Sequence, residues 1–270
     1  MTESFFKKNL IQKLKKLKIN KTKNIFITSD LSILGKLDIN RDNLLKIILE
    51  CLINTMGKNY SIFAPSSTMN LCNTNKIFDV DKTESYKMGP LSEFLRCNKK
   101  SVRSLHPFWS VICLGKNSKL LKKVSTHAYG AGSPWSIMLD LDTIQLNLGI
   151  HPSKAISLIH HIETLVGVPY RFNKEFNQKV RIKNKIIRKK FYMSSIYLNK
   201  NINKRKKLNE KIFNKMKNLN FLNYEKHKCG LEMWSFKMKD FYNITLEFFI
   251  KDMYTYLEKI PNMKKIQNKF

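Results

Sequence analysis

Two adjacent histidines stand inside the apolar segment ISLIHHIET (Ile156–Thr164), with Ser157 three residues before the first and Glu163 three after it. On a helix, positions three apart share a face, so Ser157, His160 and Glu163 align while His161 turns roughly 100° away. A carboxylate beside an imidazole favours its charged form and fixes its tautomer, which is what a general base requires. The same residues also suit a packed helix whose histidine is satisfied by that glutamate. The segment alone leaves both readings open.

Two further polar clusters could bind an anion. In RSLHPFWS, the residues Arg103, Ser104, His106 and Ser110 surround Pro107 in a polar loop that could hold an anionic group; such loops also serve as structural turns. In THAYGAGSPW, Gly130 and Gly132, followed by Ser133, would let backbone N–H groups approach a phosphate or carbonyl. That stretch lacks both the Walker lysine and the longer Rossmann glycine spacing.

Residues this far apart in the chain need a scaffold to bring them together. With 270 residues and 43% hydrophobic content, the chain can bury one large core, which excludes a disordered or fibrous protein. NIFITS reads as a strand delivering the loop DLSILG, RDNLLKIILECLINTMG as a helix closed by Gly57, and YSIFAPSS as a strand ended by Pro65. Strand, helix, strand opens an α/β sandwich. A helix at GPLSEFLRC and a strand at SVICLG follow, and SIMLDLDTIQLNLGI looks like a hairpin-like pair of apolar runs around Asp140 and Asp142. From about Asn173 to Asn220 the chain is basic and low in complexity, which predicts a solvent-facing insertion or a long helix. The end, MWSFKMKDFYNITLEFF, alternates and then turns helical. Neither an internal repeat nor a Pro-, Gly- or Ser-rich linker divides the chain, so one domain over residues 1–270 is expected.

The five cysteines form no CxxC pair and are odd in number, which suits a reduced cytoplasmic protein and indicates no metal cluster. The N-terminal MTESFFKKNLIQKLKKLKI lacks an unbroken apolar run and reads as a basic amphipathic helix, not an export signal or a membrane span. The formal charge of +30 invites a nucleic-acid reading. However, Lys, Asn and Ile are spread together through the whole chain, as A-rich codons would produce, and no nucleic-acid-binding motif accompanies them.

In order along the chain, TSDLSILG, TESYKMGPLSEFLR, RSLHPFWSVICLG, HAYGAGSPW, LNLGI, SLIHHIE and VPYRF resemble the aminoglycoside 3-N-acetyltransferase (antibiotic N-acetyltransferase) family. The resemblance is carried by residues 24–172, and residues 173–220 form the basic C-terminal insertion. It implies a three-layer α/β/α sandwich with a central mixed sheet, acetyl-coenzyme A as cosubstrate, no metal, and direct acetyl transfer to a small-molecule amine. The family's T-x-x-H-x-x-E signature falls on Ser157, His160 and Glu163, which implies that His160 is the general base and Glu163 its orienting partner. The R-S-x-H-P-x-x-S pattern falls on Arg103, Ser104, His106, Pro107 and Ser110, implying a place in the cleft where donor and acceptor meet and making His106 the second candidate for a catalytic histidine. His127, Gly130, Gly132, Ser133 and Pro134 match a glycine loop in which Ala128 and Tyr129 replace proline and phenylalanine. Ser29, Ser32 and Gly35 match a loop contacting the pantetheine arm, in which Thr28 and Asp30 replace histidine and serine.

Twenty acidic residues against 50 basic ones disfavour a polycationic acceptor on electrostatic grounds. The charge therefore favours an amino sugar, including one linked to a nucleotide for surface polysaccharide synthesis, with an aminoglycoside as the alternative. A reading of another class is a catalytically silent relative that binds a polyanion through its basic C-terminal half. The sequence leaves the oligomeric state open, a homodimer included.

Overall fold

The N-terminal basic segment forms α1 (Glu3–Lys16), capped by the Thr2 hydroxyl, which accepts from the Phe5 N–H at 3.4 Å. Its buried stripe of Phe6, Leu10 and Leu14 repeats at helical spacing and packs on α2 (Arg41–Met56). The computed structural model describes residues 2–37, 39–197 and 207–261, so residues 198–206 of the basic insertion lie outside the described residues.

Between these helices β1 (Asn24–Ser29) starts the sheet, followed by β2 (Ser61–Ser67), the two-residue β3 (Phe78–Asp79), α3 (Pro90–Cys97), β4 (Ser101–Arg103) and β5 (Trp109–Gly115). Then come α4 (Pro134–Asp140), β6 (Ile144–Leu148), α5 (Leu158–Val166), β7 (Arg171–Ile182) and β8 (Lys185–Ile196). The described chain continues with α6 (Leu208–Asn218), β9 (Asn223–Lys226), β10 (Glu232–Lys237) and α7 (Met238–Lys251). The main sheet runs β4-β5-β2-β1-β6-β10-β9, with β2, β1 and β6 parallel and the outer strands antiparallel. This is the expected central mixed sheet.

Alternation along β1 makes the three layers. Ile25 and Ile27 face the core shared with α1 and α2, whereas Phe26 faces the core shared with α4, α5 and α7. Each fully buried Leu, Ile or Phe contributes about 1.5–3 kcal/mol of transfer free energy, so both cores hold the sheet from opposite sides. Chain order places β2 on one side of β1 and β6 on the other, and the crevice beyond the carboxyl ends of strands at such a reversal is where α/β sheets bind ligands.

Three local expectations change. The first run of the supposed hairpin is helix α4, because Pro134 sits at its first turn and the chain reverses only afterwards, at Asp142 with φ +48°. Strand β2 continues through Pro65: its pairing with β1 covers only Ser61–Phe63, so at Pro65 the strand pairs with β5 alone and the missing N–H breaks no β1–β2 ladder bond. The basic insertion is no long helix over its first part. It forms the β7–β8 ribbon, which pairs with β3 in a second sheet and buries Phe176, Val180 and Phe191 on one face.

Candidate active site

Helix α5 begins directly after Ser157 and presents His160 and Glu163 on one face, as their spacing requires. His160 Nδ1 lies 2.8 Å from Glu163 Oε2. Ser157 is the N-cap residue, with helical backbone angles; its hydroxyl makes no capping hydrogen bond, and its carbonyl accepts the His160 N–H at 3.0 Å.

The Glu163 carboxylate is fully buried, a position that costs several kcal/mol without partners. Tyr170 donates its hydroxyl to Oε1 at 2.9 Å, and Arg171 Nε lies 2.8 Å from Oε2 as the ion-pair partner, though without hydrogen-bond alignment. Arg171 also donates from Nη1 to the Ser194 carbonyl at 2.9 Å and brings Nη2 within 2.9 Å of His160 Nδ1. The root of the β7–β8 ribbon thus clamps the histidine–glutamate pair. With a proton on Nδ1, His160 donates to Glu163 and its basic nitrogen is Nε2; with the proton on Nε2, Nδ1 accepts from Arg171. Neither Tyr170 nor Arg171 is a candidate on sequence spacing alone. Their signal was the VPYRF stretch, which places both within eight residues of Glu163.

His161 turns inward and is 1% exposed. It is more than packing, because its Nδ1 accepts the Gly130 N–H at 3.1 Å and lies 3.4 Å from Ser133 Oγ. Burial pushes its pKa down to about 4, so it is neutral and its remaining proton sits on Nε2. Gly130, at φ +88°, therefore offers its N–H to His161 and not to a ligand, while Gly132 (φ +69°) accepts at its carbonyl from the Ser125 N–H at 2.8 Å. The glycine loop and the ribbon root enclose an open cleft of about 520 Å³ that Tyr129, Gly130, Glu163, Thr164, Arg171 and Asn173 help to line.

A second cleft, of about 640 Å³, lies beyond the end of β1. Ser29, Asp30 and Ser32 line it together with Arg41 and Lys87, and Leu31, Leu34, Leu44 and Leu45 form an apolar wall. Gly35 belongs to the short turn Ser32–Lys36 at its edge. The unusual Asp30 carboxylate caps its own loop by accepting the Ser32 N–H at 3.1 Å, and the Thr28 hydroxyl accepts from Asn147 Nδ2 at 2.7 Å across the sheet. Both departures from the family pattern are thus absorbed by internal hydrogen bonds.

The RSLHPFWS cluster lines neither cleft. Arg103 is buried, donates to Ser110 Oγ at 2.8 Å and to the carbonyls of Ser66 and Thr83, and lies over the Phe78 ring at 4.8 Å. Burial, and then the nearby Arg96 charge, lower its pKa to about 9. Ser104 accepts the Val111 N–H at 2.9 Å. His106 accepts the Trp109 N–H at Nδ1 (3.1 Å) and places Nε2 3.2 Å from the Tyr192 carbonyl, and burial lowers its pKa to about 4. These four residues fasten β5 and the ribbon to the loops between them. Their hydrogen bonds within the protein make the burial of these polar groups tolerable. Among the described residues no group of three or more His, Cys, Asp or Glu is placed to hold a metal, all five cysteines are free, and no helix is long and apolar enough to cross a membrane.

Comparison with known proteins converges on one family. The family model for aminoglycoside 3-N-acetyltransferase matches residues 26–248. A search of curated proteins finds no match. Among solved structures, the aminoglycoside acetyltransferase AAC(3)-Xa aligns at TM-score 0.76 with 16% identity over 94% of each chain. AAC-IIIb, solved as a binary complex with CoASH, aligns at TM-score 0.76 with 17% identity, over 94% of this chain and 98% of that one. Sisomicin-bound AAC-VIa aligns at TM-score 0.73 with 18% identity, over 89% of this chain and 96% of that one. At such identities these likenesses establish a shared fold.

Proposed function

This chain belongs to the aminoglycoside 3-N-acetyltransferase family and is an acyltransferase, and we propose that it moves the acetyl group of acetyl-coenzyme A directly onto an amine of an aminoglycoside, with His160 as general base. The observation that carries the reading is the buried Glu163 held by Tyr170 and Arg171 against His160 Nδ1.

An ammonium ion has no lone pair with which to attack a thioester, so the acceptor reacts as the free amine after losing one proton to solvent, and His160 takes the second proton as the C–N bond forms. With Nδ1 donating to Glu163, His160 takes the amine proton at Nε2, and the buried carboxylate offsets the charge the ring acquires. The proton then passes to the departing coenzyme A sulfur, and His160 returns to its starting state. Holding two substrates in register supplies much of the remaining acceleration. Because the donor is anionic and carries an extended arm, the cleft at Ser29 and Ser32 suits it: Arg41 and Lys87 offer positive charge beside an apolar wall.

The acceptor that the charge count favours is an amino sugar for surface polysaccharide. Family membership supports the aminoglycoside better, since that charge is spread through the whole chain and says little about one cleft. A carboxylate outside the catalytic pair also stands nearby. Glu175 is on the same face of β7 as Arg171 and Asn173, accepts from the Tyr192 hydroxyl at 3.0 Å and pairs with Lys190 at 3.1 Å.

The test is free-thiol release from acetyl-coenzyme A against aminoglycosides, nucleotide-linked amino sugars and simple amino sugars. Turnover greatest with an aminoglycoside supports the proposal. Turnover confined to nucleotide-linked sugars would overturn the acceptor assignment, and no thiol release with any amine would overturn the activity.

A further inference from the structure

Tyr129 is 94% buried, its relative exposure being 6%, and it lines the cleft beside the catalytic pair. Its ring stacks near Trp135, with centroids 6.0 Å apart, and meets the His160 ring edge-on at 5.6 Å. The hydroxyl makes no hydrogen bond to any described residue. The hydroxyl keeps contact with the open cleft, where a ligand atom can accept its hydrogen bond.

The other donors around His160 are committed. The Gly130 N–H goes to His161, the Thr164 hydroxyl to the His160 carbonyl at 2.7 Å, and the Arg171 guanidinium to Glu163, Ser194 and His160. Burial raises the Tyr129 pKa far above its usual value, so the group remains a donor at every working pH. It feels the charges of both Arg171 and Glu163, which locates it against the catalytic pair.

Resting on the reaction proposed above, we propose that the Tyr129 hydroxyl donates a hydrogen bond to the thioester carbonyl oxygen as that oxygen becomes an alkoxide. The amine lone pair forms the C–N bond, the carbonyl π pair moves onto oxygen, and His160 takes the amine proton. Collapse restores the carbonyl and expels the coenzyme A thiolate, which His160 reprotonates. The oxygen that gathers charge is attached to the carbon bonded to the nitrogen His160 deprotonates, so its donor must stand beside His160. Tyr129 meets that requirement.

Tyr129→Phe tests this with little risk to folding, because the ring and its contacts with Trp135 and His160 stay. The full chain and this variant are compared by steady-state thiol release, with and without an amine. The expected result is a kcat lowered about 10- to 100-fold by the same factor for every acceptor, with both KM values within about twofold. Slow hydrolysis of acetyl-coenzyme A without an amine passes through the same alkoxide and is expected to fall in parallel. This second readout tests Tyr129 even if no amine proves to be an acceptor, a result that would count against the proposed function alone. An unchanged kcat and hydrolysis rate, or a loss confined to the acceptor KM, would overturn the assignment.

Discussion

His161 Nδ1 accepts the Gly130 N–H at 3.1 Å, so the second histidine of the doublet fixes the loop whose preceding residue, Tyr129, meets the first. Helix geometry divides the work. One ring turns toward Glu163 and Arg171, the other toward the backbone that shapes the cleft.

Replacing His161 should therefore act through stability. His161→Ala leaves a buried N–H unpaired and is expected to cost about 1–3 kcal/mol before any cavity contribution. His161→Gln, which can offer a side-chain oxygen to Gly130, should recover part of that loss. Urea unfolding monitored by tryptophan fluorescence checks both, and equal stabilities for the two variants would count against the loop-anchoring role.

Arg171→Met removes the guanidinium that balances the buried Glu163 carboxylate, while the Tyr170 hydroxyl and the His160 ring stay beside it. Removing one member of a buried ion pair typically costs about 3–5 kcal/mol, and thiol release should fall with it. Arg171→Lys keeps the charge but loses the planar fork that reaches Glu163, Ser194 and His160 together, so it should rescue stability more than activity. Chemical denaturation and thiol release on the same preparations separate the two effects.

Stability should also decline in mild acid. His106 and His161 both titrate near 4 in the folded chain, against about 6.5 when unfolded. The unfolded state thus binds protons that the folded state resists, so stability is full above pH 6.5 and is lost as the pH falls toward 4. The loss is on the order of 3 kcal/mol per histidine. Unfolding free energies measured at pH 7 and pH 4.5 should differ accordingly, and replacing either residue should flatten the slope.

Gly149 joins the end of β6 to the donor cleft. It has φ +73°, and a Cβ there would collide with the Asp30 carbonyl oxygen. Gly149→Ala should cost more than about 2 kcal/mol and raise the KM for acetyl-coenzyme A by displacing the loop after β1. Gly167→Ala is the comparison, since φ is +71° but a Cβ meets nothing within 4 Å, leaving only about 1 kcal/mol of backbone strain. Thermal unfolding of the pair reads the difference.

The parts of this architecture that can be read from the sequence rest on short-range periodicity. The His160–Glu163 pairing follows from a three-residue spacing, and the α/β opening from alternation in NIFITS followed by helical spacing in α2. What spacing cannot convey is which polar groups long-range packing has already engaged. Arg103, Ser104, His106 and Ser110 look like a ligand loop until packing engages them, Arg103 with Ser110 and the Ser66 carbonyl and His106 with the ribbon's Tyr192, and Asp30, though it lines the donor cleft, also caps its own loop at Ser32. Tyr170 and Arg171 are the converse case. Their roles depend on where β7 leaves the core, which no local pattern in VPYRF specifies. The ribbon itself escaped because lysines and isoleucines alternate there without the turn dipeptides that mark tight hairpins.

The central claim is tested most directly by the pH dependence of kcat/KM for thiol release in the wild type and in His160→Ala. If His160 is the base, substitution lowers kcat by about 10²–10⁴-fold and removes the acidic limb of the profile, while the fold and acetyl-coenzyme A binding persist. Undiminished turnover with the acidic limb intact would contradict it.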